Sequence, residues 1–349
     1  MPYEIKKAAV LGAGVMGASI AAHLTNAGID CILLDILPPD LTEEDRQKGW
    51  TEETPAWRNK LAANGLAQAV KIKPAAFYTK KNAARIQPGN FEDHLNWLKD
   101  VDWVIEAVVE NLEIKQQLLT RIEGHLKPTC IVSTNTSGLT IKDIIAQAGA
   151  SLKSRFVCTH FFNPPRYMKL LEIVPGPDTL PEVLAFMVKF CEDVLGKGVV
   201  VCKDVPNFIG NRIGVFDIAN AMRLMVEKDM TIEEVDTIVG KELGRPGTAL
   251  FGTVDLVGLD TAIHVMTHLY EAVTDDEMRD LYRPAGFLEA MLEKKLLGNK
   301  TGRGFYRKTK NEKGEEVKEA LDYKTMAYVP LIKPRFPSLG AAKKTDDLI

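Results

Sequence analysis

The order of apolar and polar positions divides the chain into parts. Ala8, Ala9, Val10 and Leu11 make a short unbroken apolar run, the pattern of a strand buried on both faces, and it passes directly into Gly12, Gly14 and Gly17. Met16, Ile20, Leu24 and Ala27 recur at helical spacing, Gly28 stands where a helix C-terminus is capped, and 31–34 reads as a second buried strand. The alternation resumes with a strand at 101–108 and a helix over 112–126 closed by Pro128. It returns to a strand at 130–133 that runs into Thr134-Asn135-Thr136-Ser137-Gly138. Thr140 has the place of an N-cap for a helix through Ile144, Ile145 and Ala148. Segments 156–162 and 169–174 predict two strands joined by a turn at Asn163-Pro164-Pro165, and a helix over 181–195 with a strand at 199–201 completes an α/β domain over 1–202.

Three stretches depart from this rhythm. Over 38–85, Pro38-Pro39 and the charged run 42–48 exclude a buried strand, and a helical insertion is expected instead. Its part 56–73 carries Leu61, Leu66, Ala69 and Val70 together with Arg58, Lys60, Lys71 and Lys73, and reads as a solvated amphipathic helix or a hairpin projecting from the domain. A basic arm that meets substrate phosphates is the alternative. Beyond Asp204-Val205-Pro206 the period becomes helical, with helices at 208–227, 232–239, 255–273 and 287–297, so 203–307 is expected to be a mostly α-helical second domain. Residues 308–349 lack sustained periodicity, are punctuated by Pro330, Pro334 and Pro337, and read as a linker-like tail.

Composition narrows the function classes. The 349 residues carry a formal net charge of −3, unlike the strongly basic domains that bind nucleic acid, so no nucleic-acid partner is expected. The cysteines, Cys31, Cys130, Cys158, Cys191 and Cys202, are odd in number, widely spaced and set mostly in apolar runs, which indicates reduced, buried thiols without zinc-ligand spacing. No apolar run approaches the roughly 20 residues needed to span a bilayer, and the N-terminus has no signal-peptide pattern. A cytoplasmic enzyme is the expectation.

The glycines carry the first chemistry. In a G-x-G-x-x-G turn between strand and helix, Gly12 allows the tight turn, Gly14 lets a pyrophosphate approach the backbone, and Gly17 lets the helix sit close to the sheet. The phosphates would rest at the helix N-terminus, on Gly12, Gly14, Val15, Met16 and Gly17. Asp35 ends the second strand eighteen residues past Gly17, where a carboxylate accepts hydrogen bonds from the adenosine ribose. Ile36 and Leu37 follow it rather than an arginine, which favours NAD over NADP. The predicted fold class is therefore α/β, a Rossmann-type NAD-binding domain followed by a mostly α-helical C-terminal domain. His160 stands in an apolar strand ending near this edge. Glu172, on the partner strand, is placed to bond one imidazole nitrogen and leave the other as a base, although a lone core histidine is often structural.

Six motifs extend this reading. They are Gly12-x-Gly14-x-x-Gly17; the run 105–111, IEAVVEN; Asn135-Thr136-Ser137; His160-Phe161-Phe162-Asn163-Pro164; the run 203–212, KDVPNFIGNR; and Lys300-Thr301-Gly302-x-Gly304-Phe305-Tyr306. In this order, over residues 5 to 307, the chain resembles the L-3-hydroxyacyl-CoA dehydrogenase family. The resemblance implies oxidation of an L-3-hydroxyacyl-CoA to the 3-ketoacyl-CoA with NAD in fatty-acid β-oxidation. It makes His160 the general base, Glu172 its orienting partner, and Ser137 and Asn211 the hydrogen-bond partners of the substrate oxygens, and it adds Glu110, Lys115, Asn135 and Ser137 to the cofactor site. It implies that substrate lies between the two domains, that the insertion reaches toward CoA, with Lys60 among four candidate contacts, and that the helical domain forms a homodimer. Gly138 replaces a frequent second serine and Arg245-Pro246-Gly247-Thr248 replaces a frequent Pro-Met-Gly-Pro, which leaves acyl-chain preference open. The long 38–55 region and the tail resemble the dehydrogenase part of larger β-oxidation proteins with a covalently linked enoyl-CoA hydratase domain. Two rivals remain, a non-catalytic NAD-binding protein on the same fold and a dehydrogenase for a free 3-hydroxy acid.

Overall fold

The computed structural model describes residues 3–311 and 313–342, which divide into two compact units, Met1–Ile209 and Gly210–Ile349. The first is built on a sheet of β1 (Lys7–Leu11), β2 (Asp30–Asp35), β3 (Ile86–Asn90), β4 (Trp103–Glu106), β5 (Ile131–Thr134), β6 (Phe156–Phe161), β7 (Leu170–Pro175) and β8 (Gly198–Val201), in the order β3-β2-β1-β4-β5-β6-β7-β8. The strands from β3 to β6 are parallel; β7 runs antiparallel to β6, and β8 parallel to β7. Side chains on successive strand positions enter opposite cores: Ala8, Val10, Cys31 and Leu33 join one, and Ala9, Leu11, Ile32 and Leu34 the other. The unbroken apolar runs follow from this double burial.

β3 has no counterpart in the predicted elements, because its sequence, IQPGN, has neither an apolar run nor alternation. It forms by adding to the open edge of β2, with Leu33 opposite Pro88, and an edge strand tolerates proline's missing donor. The insertion is also corrected. Helix Lys60–Lys71 is amphipathic, but it does not project: Ala62, Gly65 and Ala69 are buried, and a Cβ on Gly65 would collide with the Ala13 carbonyl oxygen. Small residues let this helix lie against the glycine turn as the crossover between β2 and β3.

The boundary predicted at 202/203 falls later, after Ile209. The connecting segment is fastened to the first unit: the Asp204 carboxylate accepts the amides of Ile141 and Lys142 at 2.8 and 3.0 Å, and Phe208 is buried. The second unit packs helices Gly210–Glu227, Ile232–Ile238, Phe251–Val257, Leu259–Ala272 and Gly286–Glu293 around one core. Gly258, at φ 103°, divides the helix expected over 255–273.

The linker-like tail is a further correction. β9 (Tyr306–Lys310), β10 (Glu316–Asp322) and β11 (Ala327–Pro330) form an antiparallel sheet that contributes Leu321 and Tyr323 to the helical core. β9 and β10 carry lysines and glutamates at exposed positions and β11 is only four residues long, so their alternation is weak in the sequence; the last part of the tail, 343–349, lies outside the described residues. The motif at 300–306 explains their anchoring. Buried Asp255 accepts the amides of Phe305 and Tyr306, each at 2.8 Å, and a Cβ on Gly304 would strike its carboxylate.

His23, on helix Val15–Asn26, faces the first core with Nε2 3.2 Å from the Leu195 carbonyl oxygen. Burial lowers its pKa to about 4, so it stays neutral in the folded chain and takes up a proton near pH 6.5 once unfolded. Its contribution is present above pH 6.5 and lost as pH falls toward 4, by on the order of 3 kcal/mol. Replacing His23 by Gln should flatten this part of the stability–pH curve, as measured by urea denaturation between pH 7 and 4; an equally acid-sensitive variant would contradict the assignment.

Candidate functional site

β1 ends in a turn where three glycines have different tasks. Gly12 has φ 101°, its amide donates to the Leu34 carbonyl at 2.7 Å, and a Cβ there would lie 2.5 Å from the Ala107 oxygen. A Cβ on Gly17 would strike the Gly12 carbonyl, whereas Gly14 has nothing within 4 Å of its Cβ position. The outer two glycines pack the turn between β4 and its helix, and the middle one leaves backbone open to a ligand. No side chain caps helix Val15–Asn26. Its first-turn amides suit an anion.

A cavity of about 770 Å³ lies against this turn, lined among others by Gly14, Val15, Met16, Asp35, Asn135 and Ser137. That volume is in the range of cofactor sites. Asp35 accepts the amide of Ala13 through Oδ2 and that of Ile36 through Oδ1, both at 2.7 Å, which ties the end of β2 to the turn while its carboxylate faces the cavity. The residues present fit NAD: an open backbone and an uncapped helix for the pyrophosphate, and the Asp35 carboxylate for the ribose.

The expected cofactor residues Glu110 and Lys115 belong to one buried charge network. Lys115, 1% exposed, places Nζ 2.8 and 3.0 Å from the two oxygens of Glu106 and 3.3 Å from Glu110. Glu106 also accepts Thr134 Oγ1 and the Val108 amide. Glu110 lines the cavity and accepts Thr136 Oγ1 at 2.6 Å and the amides of Ser137 and Gly138 at 2.9 and 3.1 Å. Burial pushes its carboxyl up, but Lys115 and these donors outweigh burial and hold it below the usual carboxylate range. Lys115 is buried behind Glu110 and is not among the residues that line the cavity. Glu106 was missed by sequence reasoning; its signal was an acid inside the apolar run of β4 with a lysine on the inward face of the next helix.

His160 and Glu172 lie opposite each other across the antiparallel β6–β7 pair, with Nδ1 2.6 Å from Oε2. They are 5% and 0% exposed. The other oxygen of Glu172 accepts the Ile209 amide at 2.9 Å, and Cys202 Sγ lies 3.8 Å from it. With Nδ1 donating to the carboxylate, Nε2 carries the lone pair and can act as a base. The rings of Phe162 and Phe208 enclose the imidazole at centroid distances of 4.5 and 5.7 Å. Asn135 Oδ1 accepts the Phe161 amide at 2.9 Å, so the residue that lines the cavity also fixes the strand end carrying His160. Cysteine nucleophiles are absent here: all five thiols are free and buried, and burial pushes Cys202 up to about 11.

The remaining sites separate. Lys60, proposed to meet CoA, has both Asp45 oxygens 2.6 Å from Nζ, and Arg58 is paired with Asp93. The Lys60 pair holds the insertion together, and the Arg58 pair ties it to the segment after β3. Lys71 and Lys73 are exposed. Asn211 lies in the first turn of helix Gly210–Glu227, half-buried in the second unit.

A glycine turn at the end of β1 and a buried histidine–carboxylate pair on β6 and β7 of the same sheet define a Rossmann-type, NAD-binding domain. The model of the 3-hydroxyacyl-CoA dehydrogenase NAD-binding domain matches residues 7–205, and that of the same family's C-terminal domain matches 208–308. The chain belongs to the 3-hydroxyacyl-CoA dehydrogenase family, and its first unit is that family's NAD-binding domain. A probable 3-hydroxyacyl-CoA dehydrogenase of Bacillus subtilis is 45% identical over 344 residues, covering 99% of this chain but 43% of the relative. One from Deinococcus radiodurans is 46% identical over 310 residues, covering 89% of this chain and 85% of the relative. The chain thus spans less than half the length of the first relative and most of the second. Among solved structures, (S)-3-hydroxybutyryl-CoA dehydrogenase PaaH1 from Ralstonia eutropha superposes with a TM-score of 0.66 at 30% identity, over 86% of this chain and 98% of that one. No helix among the described residues is long and apolar enough to cross a membrane.

Replacing Lys115 by Met should strand Glu106 as an unpaired buried charge and cost roughly 3–5 kcal/mol. Urea denaturation checks the loss, and an NAD titration should show weaker binding because Glu110 loses its counter-ion; an unchanged chain in both would contradict the network's role.

Proposed function

We propose that this chain oxidises an L-3-hydroxyacyl-CoA to the 3-ketoacyl-CoA in fatty-acid β-oxidation. The observation that carries the reading is the buried His160–Glu172 pair, 2.6 Å apart on the strand whose end is tied to cavity-lining Asn135. NAD, when bound, supplies the acceptor for the hydride that leaves C3. His160 Nε2 takes the 3-hydroxyl proton as the ketone forms, and Glu172 keeps Nδ1 protonated and stabilises the imidazolium. Ser137 and Asn211 hydrogen-bond the substrate oxygens, as the family likeness implies. Since Arg58 and Lys60 are engaged with carboxylates, Lys71 and Lys73 are the better-supported candidates on the insertion for CoA phosphates.

The same likeness supports a homodimer through the helical unit and a linked hydratase domain, and the greater length of the Bacillus subtilis relative leaves room for one. The reaction is tested by following NADH oxidation with acetoacetyl-CoA, with free acetoacetate and without acceptor. Turnover with acetoacetyl-CoA alone is expected; equal rates with the free acid would assign a different substrate class, and no turnover with either would exclude the reading. His160→Ala should lower turnover by roughly 10²- to 10⁴-fold while NAD still binds. Near-normal turnover in this variant would remove His160 from the chemistry.

A further inference from the structure

His160 and Glu172 sit on strands joined by the turn 162–169, and that turn is supported by Lys197, a residue the reaction above does not use. Lys197 lies between helix Pro181–Asp193 and β8 and is only 6% exposed. Its Nζ donates to the carbonyls of Pro165 and of Met168, the latter at 2.8 Å, and no carboxylate pairs with it among the described residues. A buried ammonium held by two carbonyls, with only a phenyl ring beside it, is costly, so the carbonyls it satisfies matter to the fold around it. Pro164 and Pro165 contribute no amide donors to the turn. Within the turn, the amides of Tyr167 and Met168 both use the Pro164 carbonyl.

We propose that Lys197 is a positioning residue for His160, pinning the turn between the two strands so that the imidazole keeps one orientation. The proposal rests on His160 being the base. The path of contact is short. Lys197 Nζ stands 5.7 Å from the ring centroid of Phe161, the neighbour of His160, and Phe162, the first residue of the turn, packs its ring on the imidazole. The backbone beside Lys197 is fixed as well: its own amide donates to Cys191 and the Gly198 amide donates to Lys169 at 2.8 Å. Arg166, at the turn's outer side, donates to the carbonyls of Ala75 and Phe77, so the insertion braces the turn from the other direction.

The groups facing Lys197 give this support a pH dependence. They are His23 from helix Val15–Asn26 and Cys191 from helix Pro181–Asp193; Arg166 of the turn acts on the same His23. Cys191 stays a thiol because burial pushes it up, and His23 stays neutral, so neither offers Lys197 a negative charge. Burial lowers Lys197 to about 8. Above that pH its charge-assisted hydrogen bonds become ordinary ones, which are weaker.

The test compares the full chain with Lys197→Met by steady-state kinetics, by NMR of the His160 ring nitrogens, and by hydrogen exchange over 162–169. The variant is expected to lose on the order of tenfold or more in kcat, as small misplacements of a catalytic group do, with NAD affinity retained. It should exchange faster in the turn and show mixed tautomers of His160. If the variant does not fold, the wild type carries the test. Raising pH through 8 should then loosen the turn beyond the intrinsic base-catalysed increase, while helix Leu112–Glu123 keeps its protection. Wild-type kcat together with an unchanged His160 ring in Lys197→Met would overturn the proposal, as would a wild-type turn insensitive to pH. The ring and exchange measurements need no turnover, so a chain that fails to oxidise any 3-hydroxyacyl-CoA would refute the dehydrogenase reading while leaving the role of Lys197 separately decided.

Discussion

Three backbone segments meet at the carboxyl end of β1 with no room for a Cβ atom between them, and the first unit depends on that contact. Gly12 is pressed against Ala107 beyond β4, Gly17 against the Gly12 carbonyl, and Gly65 against the Ala13 carbonyl. A side chain at any of the three would separate the first helix, β4 or the insertion helix from the turn. Gly14, in the midst of this crowding, is open. Close packing on every side but one thus makes backbone amides available where an anion can reach them.

Charge is treated similarly within the same sheet. Glu106, the last residue of β4, and Glu172, within β7, are both fully buried carboxylates, each satisfied by several donors. Glu106 holds Lys115 and, through it, Glu110 at the cavity; Glu172 holds His160. In both cases the buried acid fixes a second residue, Lys115 or His160, in one place. Burying such a group is affordable only where every lone pair finds a donor, which is why amides of Val108 and Ile209 complete the two sites.

Much of this was legible before any coordinates. The strands from β4 to β8 announce themselves by apolar runs, and the glycine spacing, Asp35, and the His160–Glu172 pair follow from local pattern together with hairpin geometry. β3 and the sheet at β9 to β11 were not legible. Both are stabilised by what they add to: an existing strand edge for IQPGN, and a helical core that accepts Leu321 of β10 and Tyr323 just after it. The basic residues of the insertion were ambiguous for the same reason. A lysine's charge is visible in sequence, whereas whether it meets Asp45 or solvent depends on a residue fifteen positions away.

By itself the sequence determined the fold class and the preference for NAD, because these rest on short-range patterns: periodicity, glycine spacing, and one acid at the end of one strand; the family was implied by the likeness of six ordered motifs. Tertiary structure alone decided that Lys115 is buried against Glu106 and Glu110, that Arg58 and Lys60 pair with Asp93 and Asp45 rather than remain free, and that Lys197 bonds the turn beside His160. Each of these is a matter of which buried charge finds which partner. That choice is made by desolvation and distance in three dimensions, where residues far apart in the chain compete for the same few donors and acceptors.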